Sequence, residues 1–470
     1  MVQIFSQYVS RKAVVLIALE GCLIAAALTF GVKLCFWNDQ ASFEFYTMLP
    51  DFAIQALAVM LCIQISFYYY DLYNLHTSWR PSEQYIRLGQ SLGGACILLS
   101  ILYFLFPALT LSRSVFFLAL TLVMSSVTVV RLLVDWFWRA TVPGESVLIL
   151  GTAKLAIDIA REIKQREDLN LRLVGFVRTE TGQDSGMQAS RLFGEPILGQ
   201  AGDLEAITRQ HGVSSLIVVP DERDLLPVSE LIRLRTRGVQ VRDGHSTIAS
   251  LTGRIPLETV PTNWFIFSEG FRRTRLVAVF KRILDLAVSV AGLLLSAPIM
   301  ALTAVAVKLD SSGPVLFRQT RVGLGGRPFE VLKFRSMRTD AEAAGGAQWA
   351  QENDPRVTRI GKHLRKFRLD ELPQFINVIR GDMSFVGPRP ERPEFVRQLR
   401  EQIPYYDERH TVRPGITGWA QVCYPYGANV EDALRKLEYD LFYLKGLSFF
   451  FDTAIVFKTI QIVLFGRGGR

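Results

Sequence analysis

The sequence predicts a membrane protein of mixed class, in which membrane-spanning α-helices precede an α/β domain and a small α+β domain. Three observations lead to this prediction. Four apolar runs of roughly 20 residues each occupy the N-terminal third of the chain. A strand, turn and helix pattern follows Pro143, and a fifth apolar run separates that pattern from a polar C-terminal region. The chain has 470 residues, which is room for about three units of ordinary domain size.

The four apolar runs predict a four-helix transmembrane bundle over residues 1–140. They lie at residues 14–34, 49–69, 92–111 and 115–138. Arg11 and Lys12 precede the first run, and Arg131 and Arg139 mark the end of the fourth. Because the cytoplasmic ends of membrane helices carry an excess of Lys and Arg, both ends of the bundle are expected in the cytoplasm. The first run is long and no small-residue cleavage site stands out, which favours a retained helix over a signal peptide.

The charge balance and the cysteines narrow the classes of partner. With 53 Lys and Arg against 44 Asp and Glu, the formal net charge is +9, which suits nucleic acid, anionic lipid or a phosphorylated substrate. The apolar runs favour the last two, so no nucleic acid partner is expected. The five cysteines form neither a CxxC pair nor a Cys/His zinc spacing, which indicates neither a disulfide framework nor a structural metal.

Residues 144–266 predict a Rossmann-like (CoA-binding-like) α/β domain on the cytoplasmic side. The stretch "SVLILGTAKLAIDIAREI" is typical of a buried strand, a glycine turn and an amphipathic helix, and "LRLVGFV" and "SSLIVVP" are typical of further strands. The turn keeps only Gly151 of the dinucleotide fingerprint, and the second strand ends at Arg178, where that fingerprint has an acid. This pattern favours a packing turn, so no bound organic cofactor is predicted.

The fifth apolar run, residues 286–307, carries no charge but has Pro298 near its middle. A spanning helix is the simpler interpretation by length. Proline removes a backbone hydrogen bond and clashes with the preceding turn, however, so a kinked helix that enters and leaves on the same face is the alternative. With four spans before it, a fifth crossing would place everything after Lys308 outside the cytoplasm.

Residues 314–337 predict two strands joined by a glycine-rich turn. The letters "GLGG" in this stretch suit a hairpin better than a phosphate loop, because they lie between two alternating strands. Lys333 and Arg335 are two residues apart, which places them on the same face of the second strand and suits a diphosphate. A solvated strand face is the alternative that stays open.

Two adjacent acids, Asp370 and Glu371, lie among basic residues and just before Pro373. Because proline is tolerated in the first turn of a helix, the acids are expected at a helix N-terminus, where the macrodipole favours ionised carboxylates. A helix N-cap is the simpler alternative.

Two rigid turns follow the acidic pair, "GPRP" at residues 387–390 and "RPGITGWAQV" at residues 413–422. They add two arginines and the indole of Trp419, which is able to stack on a base. Carboxylates, cations and a stacking ring together favour a nucleotide diphosphate bound with a divalent metal. In such a site a carboxylate can coordinate Mg²⁺ or act as a nucleophile on phosphorus.

From about Lys281 onward the sequence resembles the bacterial sugar transferase family, the monotopic phosphoglycosyl transferases. The matching segments are "KRILD", "GPVLFRQTRVG", "KFRSMRTDAE", "LRKFRLDELPQFINVIRGDMSFVGPRP" and "VRPGITGWAQV". The whole architecture is similar to the larger members of the family, the polyprenyl-phosphate hexose-1-phosphate transferases, which start capsule and exopolysaccharide repeat units.

The resemblance implies a reaction and a role for each matching residue. In the family an aspartate attacks the β-phosphate of a UDP-sugar, UMP leaves, and undecaprenyl phosphate then takes the phosphosugar. Carried over, Asp370 is the nucleophile and a Mg²⁺ ligand, Glu371 assists it, and Arg365 binds phosphate. The nucleotide-binding turn is Pro388, Arg389 and Pro390, and further phosphate contacts are Lys333, Arg335 and Arg413.

The resemblance also implies that residues 276–310 form a re-entrant membrane helix. Its kink corresponds to Pro298, and its start carries Lys281, Arg282 and Asp285. One departure from the family is visible, because the serine expected directly before the proline is replaced by alanine here. A re-entrant helix returns the chain to the cytoplasm, where UDP-sugars are found.

Residues 311–470 correspond to a small α+β catalytic domain. Its last apolar stretch is broken by Asp452 and Lys458, which favours an interfacial helix over a sixth span. The larger members of the family also suggest a homodimer.

The predicted function is therefore transfer of hexose-1-phosphate from a UDP-hexose, such as UDP-glucose or UDP-galactose, to undecaprenyl phosphate. The reaction is expected at the cytoplasmic face of the bacterial inner membrane, with Mg²⁺ as cofactor. Release of UMP rather than UDP distinguishes it from a glycosyltransferase. An idle scaffold or a nucleotide sensor is the alternative from another class, against which the intact pair Asp370 and Glu371 argues. No motif specifies the sugar.

Overall fold

The computed structural model describes residues 2–4, 7–9, 11–41, 43–44, 50–70, 72–73, 81–141, 144–166, 169–179, 191–219, 226–268, 270–271, 274–341, 354–424 and 429–464. Apart from Gln7, which groups with the second unit, the described residues divide into two compact units between Gly244 and His245. Each unit has its own buried apolar core.

The first unit begins with two short paired strands and four long helices. The strands are β1 (Val2–Ile4) and β2 (Gln7–Val9), and the helices are α1 (Arg11–Cys35), α2 (Pro50–Tyr69), α3 (Pro81–Leu105) and α4 (Arg113–Thr141). Each helix buries a stripe of apolar side chains, among them Ile24, Ile63, Leu99 and Val127. Each is also long and apolar enough to cross a membrane. The prediction of several apolar helices in this region is confirmed.

One buried ion pair joins the first and last of these helices. The carboxylate of Glu20 on α1 is fully buried and accepts a hydrogen bond from Nε of Arg131 on α4 at 2.6 Å. The guanidinium of Arg131 also lies 5.6 Å from the ring centre of Phe67 and donates to the Leu72 carbonyl. An unpaired charge among apolar helices costs several kcal/mol, so the pairing of Glu20 with Arg131 offsets part of the cost of burying that carboxylate.

The same unit contains a six-stranded sheet in the order β5-β6-β4-β3-β7-β8. Its strands are β3 (Glu145–Leu150), β4 (Leu171–Arg178), β5 (Arg191–Leu192), β6 (Glu195–Gln200), β7 (Ser215–Val218) and β8 (Gln240–Asp243). All neighbours are parallel except β5, which is antiparallel to β6. Helices α5 (Lys154–Gln165), α6 (Leu204–Gln210) and α7 (Val228–Thr236) connect strands. The predicted α/β sheet domain is confirmed.

Gly151, the remaining glycine of the fingerprint, has φ of +120° directly after β3. A Cβ atom at this position would collide with the carbonyl oxygen of Val219. The glycine is therefore required by a close approach of two strand ends.

Residues 245–268, here called the connecting segment, pack in the second unit, although the α/β domain is predicted to extend to residue 266. The segment includes most of α8 (Gly244–Thr252) and all of α9 (Thr262–Phe267). Ile255, Leu257 and Trp264 are buried in the core of that unit. Burial of these apolar side chains explains why the compact boundary precedes the predicted one.

The longest helix is α10 (Arg275–Asp310), which continues through Pro298. Two antiparallel strands follow, β9 (Leu316–Val322) and β10 (Pro328–Phe334). The turn between them contains Gly325 and Gly326 with φ of +64° and +77°. The predicted hairpin is therefore confirmed.

The rest of the second unit is a compact α+β arrangement. Its helices are α11 (Arg359–Lys366), α12 (Gln374–Arg380), α13 (Pro393–Gln402), α14 (Trp419–Cys423), α15 (Val430–Lys445) and α16 (Phe449–Leu464), and its short parallel strands are β11 (Ser384–Val386) and β12 (Gly415–Thr417). Both charges of α16 contact protein groups. Asp452 is 1% exposed and pairs with Lys281, and the Lys458 ammonium lies 5.1 Å from the ring centre of Trp419.

Candidate active site

The acidic pair lies in a tight turn between α11 and α12. Arg368 adopts the left-handed conformation with φ of +54°, and a single 3-10 turn then spans Leu369–Glu371. Non-glycine residues seldom adopt this conformation, which reverses the chain so that both acids precede α12. Neither acid caps a helix through its side chain. The N-cap alternative for the pair is therefore wrong.

Glu371 is held by two cations from distant parts of the chain. Arg389 donates from Nη2 to Glu371 Oε1 at 2.8 Å, and Lys333 donates from Nζ to the same oxygen at 3.4 Å. Burial would raise the pKa of Glu371, but the charges of Arg389, Lys333 and Arg368 hold that pKa well below its usual range. Burial also lowers the pKa of Lys333, which Glu371 opposes. Glu371 is thus the ionised partner that keeps two cations together.

Asp370 has a different environment from its neighbour. Its carboxylate is 8% exposed, and within the described ranges no side chain or backbone group donates a hydrogen bond to it. Burial and the adjacent charge of Glu371 raise its pKa, while Lys333, Arg365 and Arg389 act in the opposite direction. Asp370 therefore presents an uncommitted carboxylate within the field of three cations.

The turn at residues 387–390 is fixed by its backbone contacts. The amide of Gly387 donates to the Thr417 carbonyl at 2.8 Å, and the Pro388 carbonyl accepts from the amide of Gly415 at 2.9 Å. A Cβ atom at Gly387 or Gly415 would meet backbone atoms of the other strand. Close packing of two glycines therefore sets the position from which Arg389 reaches Glu371.

Two predicted phosphate contacts lie elsewhere in the unit. Arg335 follows the last residue of β10, is 5% exposed, and donates from Nη2 to the Ser311 carbonyl at 2.7 Å after the end of α10. Arg413 donates from Nε to the Gly381 carbonyl at 2.9 Å, at the end of α12. Both cations thus stabilise helix C-termini, where positive charge is favourable. They do not join Lys333 at Glu371.

Trp419 is part of the core. Its side chain is 7% exposed, packs against Phe442 and Phe451, and donates from Nε1 to the Gly253 carbonyl at 2.7 Å. An indole with a satisfied N–H in a buried cluster has no free face for a base, so the stacking interpretation was wrong.

The charged residues at the start of α10 make hydrogen bonds with the two elements that follow the acidic pair. Arg282 donates to the carbonyls of Val378 and Ile379 at the end of α12. Asp285 accepts from the hydroxyl of Ser384 and from the amide of Phe385 at 2.9 Å. These contacts attach α10 to α12 and β11, the two elements that follow the acidic turn.

Further contacts of α10 lie along its length. Lys281 donates from Nζ to the Val386 carbonyl at 2.8 Å, directly before the 387–390 turn. Near Pro298, the Ser296 hydroxyl is 3.5 Å from the sulfur of Met300.

The acidic pair offers carboxylate oxygens, which are ligands that a magnesium ion prefers. Throughout the ranges given above, no cluster of three or more His, Cys, Asp or Glu side chains suits a metal. Mg²⁺ usually takes one or two carboxylates together with phosphate oxygens and water. Asp370 and Glu371 supply two carboxylates, and the two oxygens of Asp370 accept no hydrogen bond from a described residue.

Three cations near the site were not singled out from the sequence. Arg368 was visible beside the acidic pair, but its left-handed conformation cannot be seen in residue types. Arg321 and Arg409 contact the 387–390 turn through backbone carbonyls. Because both arginines are far from the acidic pair in sequence, no local motif predicts that they lie near it.

Comparison with known proteins places two family models on the chain. A bacterial sugar transferase model matches residues 276–466, and a CoA-binding domain model matches residues 69–234. The CoA-binding model begins within the region of the apolar helices and ends before the predicted boundary at residue 266.

Curated relatives match the same regions. A UDP-N-acetylgalactosamine-undecaprenyl-phosphate N-acetylgalactosaminephosphotransferase of Aeromonas hydrophila is 48% identical over 47% of this chain and 51% of its own length. An undecaprenyl-phosphate glucose phosphotransferase of Komagataeibacter xylinus is 35% identical over 69% of this chain and 60% of its own length. A UDP-glucose:undecaprenyl-phosphate glucose-1-phosphate transferase of Caulobacter vibrioides is 45% identical over 39% of this chain and 69% of its own length. The chain thus spans half to three fifths of the first two relatives.

Proposed function

Because this chain belongs to the bacterial sugar transferase family, we propose that it transfers hexose-1-phosphate from a UDP-hexose to undecaprenyl phosphate. The products are undecaprenyl-diphosphate-hexose and UMP. Such a lipid-linked sugar is the first unit of a polysaccharide repeat. The names of the relatives include both glucose and N-acetylgalactosamine donors, so the identity of the sugar is left to the experiment.

The observation that carries the proposal is the unequal environment of the two acids. Glu371 is engaged by Lys333 and Arg389, whereas Asp370 is buried, surrounded by cations and accepts no hydrogen bond from any described residue. A nucleophile needs a free lone pair, and its attack on a diphosphate needs nearby positive charge. Asp370 therefore suits attack, and Glu371 suits placement of the cations.

In the proposed reaction a carboxylate oxygen of Asp370 forms a bond to the β-phosphorus of the UDP-hexose. The bond from that phosphorus to the bridging oxygen breaks, and UMP leaves with the electron pair. A phosphate oxygen of undecaprenyl phosphate then attacks the same phosphorus and releases the carboxylate. Lys333, Arg365 and Arg389 offset the charge of the diphosphate during both steps.

Magnesium, when bound by the acidic pair and the diphosphate, would neutralise phosphate charge and help the leaving group depart. Binding of a cation also favours the ionised form of Asp370, whose pKa is raised by burial and by Glu371. The carboxylate is thus expected to become fully nucleophilic only with substrate and metal in place.

The proposed membrane arrangement places α10 as a re-entrant helix. At its start Lys281 donates to the Val386 carbonyl, near its middle Gly292 adjoins Phe375, and at its end Asp310 accepts from the Ile360 amide. Contacts of both ends with one folded unit favour an entry and an exit on the same face of the membrane. The outer side of α10 is strongly exposed and apolar, as at Leu294, Leu295 and Leu302.

The rest of the proposed arrangement follows from the same apolar surfaces. Helices α1 to α4 form a transmembrane bundle in the bacterial inner membrane, with the acidic pair on the cytoplasmic side, where the UDP-sugar is available. Helix α16 lies in the membrane interface, because its two charges have protein partners while Phe450 is 68% exposed. A homodimer is part of the proposal, and the mass of the detergent-solubilised protein tests it.

The test is a UMP-release assay on the full chain with undecaprenyl phosphate, Mg²⁺ and a panel of UDP-sugars that includes UDP-glucose, UDP-galactose and UDP-N-acetylgalactosamine. We expect UMP and a lipid-linked phosphosugar from at least one donor. Asp370→Asn should lower turnover by about 10³-fold or more, because the amide is a poor nucleophile. Release of UDP would indicate a glycosyltransferase, and full activity of Asp370→Asn would contradict the assignment of the nucleophile.

A further inference from the structure

The backbone of the 387–390 turn is held by two arginines, the buried Arg409 and the partly buried Arg321. Arg409 donates from Nη2 to the Arg389 carbonyl at 2.9 Å, and Arg321 donates from Nη1 to the Pro390 carbonyl at 3.1 Å. The guanidinium of Arg389 meanwhile donates to Glu371. Arg389 is therefore held at both ends, by Arg409 through its carbonyl and by Glu371 through its side chain.

Arg409 is itself placed by a buried carboxylate. It is 6% exposed, and its Nη2 atom lies 2.9 Å from Oδ2 of Asp440 on α15, which is 1% exposed. The Nη1 atom of Arg409 donates to the Tyr406 hydroxyl at 2.8 Å. The same Nη2 group thus contacts Asp440 and the Arg389 carbonyl. The contact with the Asp440 carboxylate is an ion pair, and the contact with the Arg389 carbonyl is a hydrogen bond. A lysine ammonium has a different geometry from the planar guanidinium that makes both contacts.

We propose that Arg409 and Asp440 are positioning residues for Arg389, and that together they set the affinity of the site for the nucleotide diphosphate. Neither residue touches the acidic pair, so neither is catalytic. The inference rests on the proposed function, because it concerns the subsite through which Arg389 would contact the donor.

A purely structural role makes a different prediction. A buried ion pair contributes little net stability, because desolvation offsets the attraction of the charges. If the pair served only the core, its loss would lower the melting temperature and leave substrate affinity unchanged. If it positions Arg389, its loss raises KM even where the protein stays folded.

The pH dependence of KM also distinguishes a positioning role of Asp440 from a purely structural one. Burial raises the pKa of Asp440 to about 6, against the opposing effect of Arg409. The charged and titratable groups that act on Asp440 or are affected by it are Arg409, Glu391, Lys436, Tyr406 and Tyr443. As pH falls through about 6, Asp440 takes up a proton and its attraction for Arg409 weakens, so KM should rise.

The effect of the same proton on stability has the opposite sign. The pKa of Asp440 in the folded protein lies above the ordinary value of 3.8. A carboxyl with a raised folded pKa stabilises the fold most below the unfolded pKa, and this contribution is lost as pH rises through the folded value. Between about pH 4 and 6 the group therefore favours folding while it weakens positioning. A rise in KM at low pH is thus not explained by unfolding through this group.

The experiment measures initial rates of UMP release by the full chain at varied UDP-sugar, from pH 5.5 to 8, for the wild type and Asp440→Asn. We expect KM to rise about tenfold at pH 7.5 in the variant, with kcat changed by less than about threefold. The rise of the wild-type KM below about pH 6 should be absent from the variant. Arg409→Lys should raise KM similarly.

Glu438→Gln is the matched control. Glu438 lies on the same helix α15, is fully buried, and accepts from Arg254 at 2.5 Å and from the Leu257 amide at 3.0 Å. Its loss removes an equally buried charge whose partners lie in the connecting segment and at Arg435 of α15 itself, and none of them in the turn. We expect the melting temperature to fall while KM stays within about twofold of the wild type.

A double variant tests whether Asp440 acts through Arg389. Arg389→Gln alone should raise KM, and adding Asp440→Asn should raise it by less than about twofold more, because coupled residues are not additive. An additional tenfold rise in the double variant would overturn the inference.

Failure of the inference is distinct from failure of the proposed function. If the wild type releases UMP but Asp440→Asn leaves KM and its pH profile unchanged, the inference is overturned and the proposed function stands. If the wild type releases UMP from no UDP-sugar, the proposed function fails. Calorimetric titration with UMP then decides the inference, since a tenfold weaker Kd in Asp440→Asn supports it and an equal Kd overturns it.

Discussion

At the residue scale, Asp370 and Glu371 are neighbours with opposite environments. Glu371 shares one oxygen between Lys333 and Arg389, while no described residue donates a hydrogen bond to Asp370. The difference arises from the reversal of the chain at Arg368, since successive residues of the short 3-10 turn point in different directions. Two carboxyl groups of the same kind therefore have different electrostatic environments.

Glu371→Gln tests this division of roles. The amide keeps the size of the side chain but removes the charge that holds Lys333 and Arg389, so we expect kcat/KM to fall by about 10- to 100-fold, the equivalent of lost charge-assisted contacts worth about 1.5–3 kcal/mol. The assay is UMP release with the preferred UDP-sugar. Glu394→Gln, at a half-exposed glutamate of α13, is the control and should change nothing. Wild-type kcat/KM in Glu371→Gln would show that the cations need no carboxylate.

One prediction for single residues was wrong because it depended on where a strand ends. Lys333 and Arg335 were expected on one strand face, but β10 ends at Phe334, so the alternation does not extend to Arg335. The end of the strand is set by tertiary contacts, so it cannot be predicted from the residue types of Lys333 and Arg335. The acidic pair, by contrast, was correctly expected before a helix, because Pro373 restricts its own backbone locally.

At the element scale, α10 contacts one folded unit at both of its ends. The N-terminal contacts are made by Lys281, Arg282 and Asp285, and the C-terminal ones include the Val307 carbonyl, which accepts from Arg335 at 3.3 Å. Thirty-six helical residues would extend about 54 Å, more than a bilayer core of about 30 Å. Helix length alone therefore allows a span, and only the position of the partners argues against it.

Cysteine labelling tests the re-entrant arrangement. Leu276 and Leu309 are 70% and 83% exposed near the two ends of α10. In a background without the native cysteines, we expect Leu276→Cys and Leu309→Cys to react with a membrane-impermeant maleimide in inside-out vesicles, and neither to react in right-side-out vesicles. Thr110→Cys, between α3 and α4, is the control and should show the reverse. Labelling of the two α10 positions from opposite sides would establish a span.

At the scale of the whole molecule, the second unit begins earlier than its family model. The model starts at residue 276, yet the connecting segment supplies buried side chains to the same core. The Ile255 amide donates to the Glu438 carbonyl at 3.1 Å, and the Lys445 ammonium lies 4.2 Å from the ring centre of Trp264. The connecting segment is therefore part of the fold of this unit and not a free linker.

Ile255→Ala tests this conclusion. Removing a fully buried isoleucine should destabilise the second unit by about 2–5 kcal/mol, through lost burial and the cavity that remains. Amide hydrogen exchange should become faster in α15 and stay unchanged in β3. Ile217→Ala, at an equally buried position of β7, is the control and should speed exchange in the sheet only. Faster exchange in β3 with an unaffected α15 would assign the connecting segment to the α/β domain.

The sequence by itself determined the membrane class, three of the six strands of the α/β sheet, the hairpin at residues 316–334 and the acidic pair before Pro373. Each of these features depends on hydropathy, periodicity or turn-forming residues within a short stretch, so the local sequence is enough to predict it. Only the tertiary structure decided which cations contact Glu371. Lys333 and Arg389 lie 38 and 18 residues from Glu371 and meet it, whereas Arg335 and Arg413 stabilise helix ends. All four side chains carry the same charge. They differ in their partners, because long-range packing places a carboxylate beside Lys333 and Arg389 and backbone carbonyls beside Arg335 and Arg413.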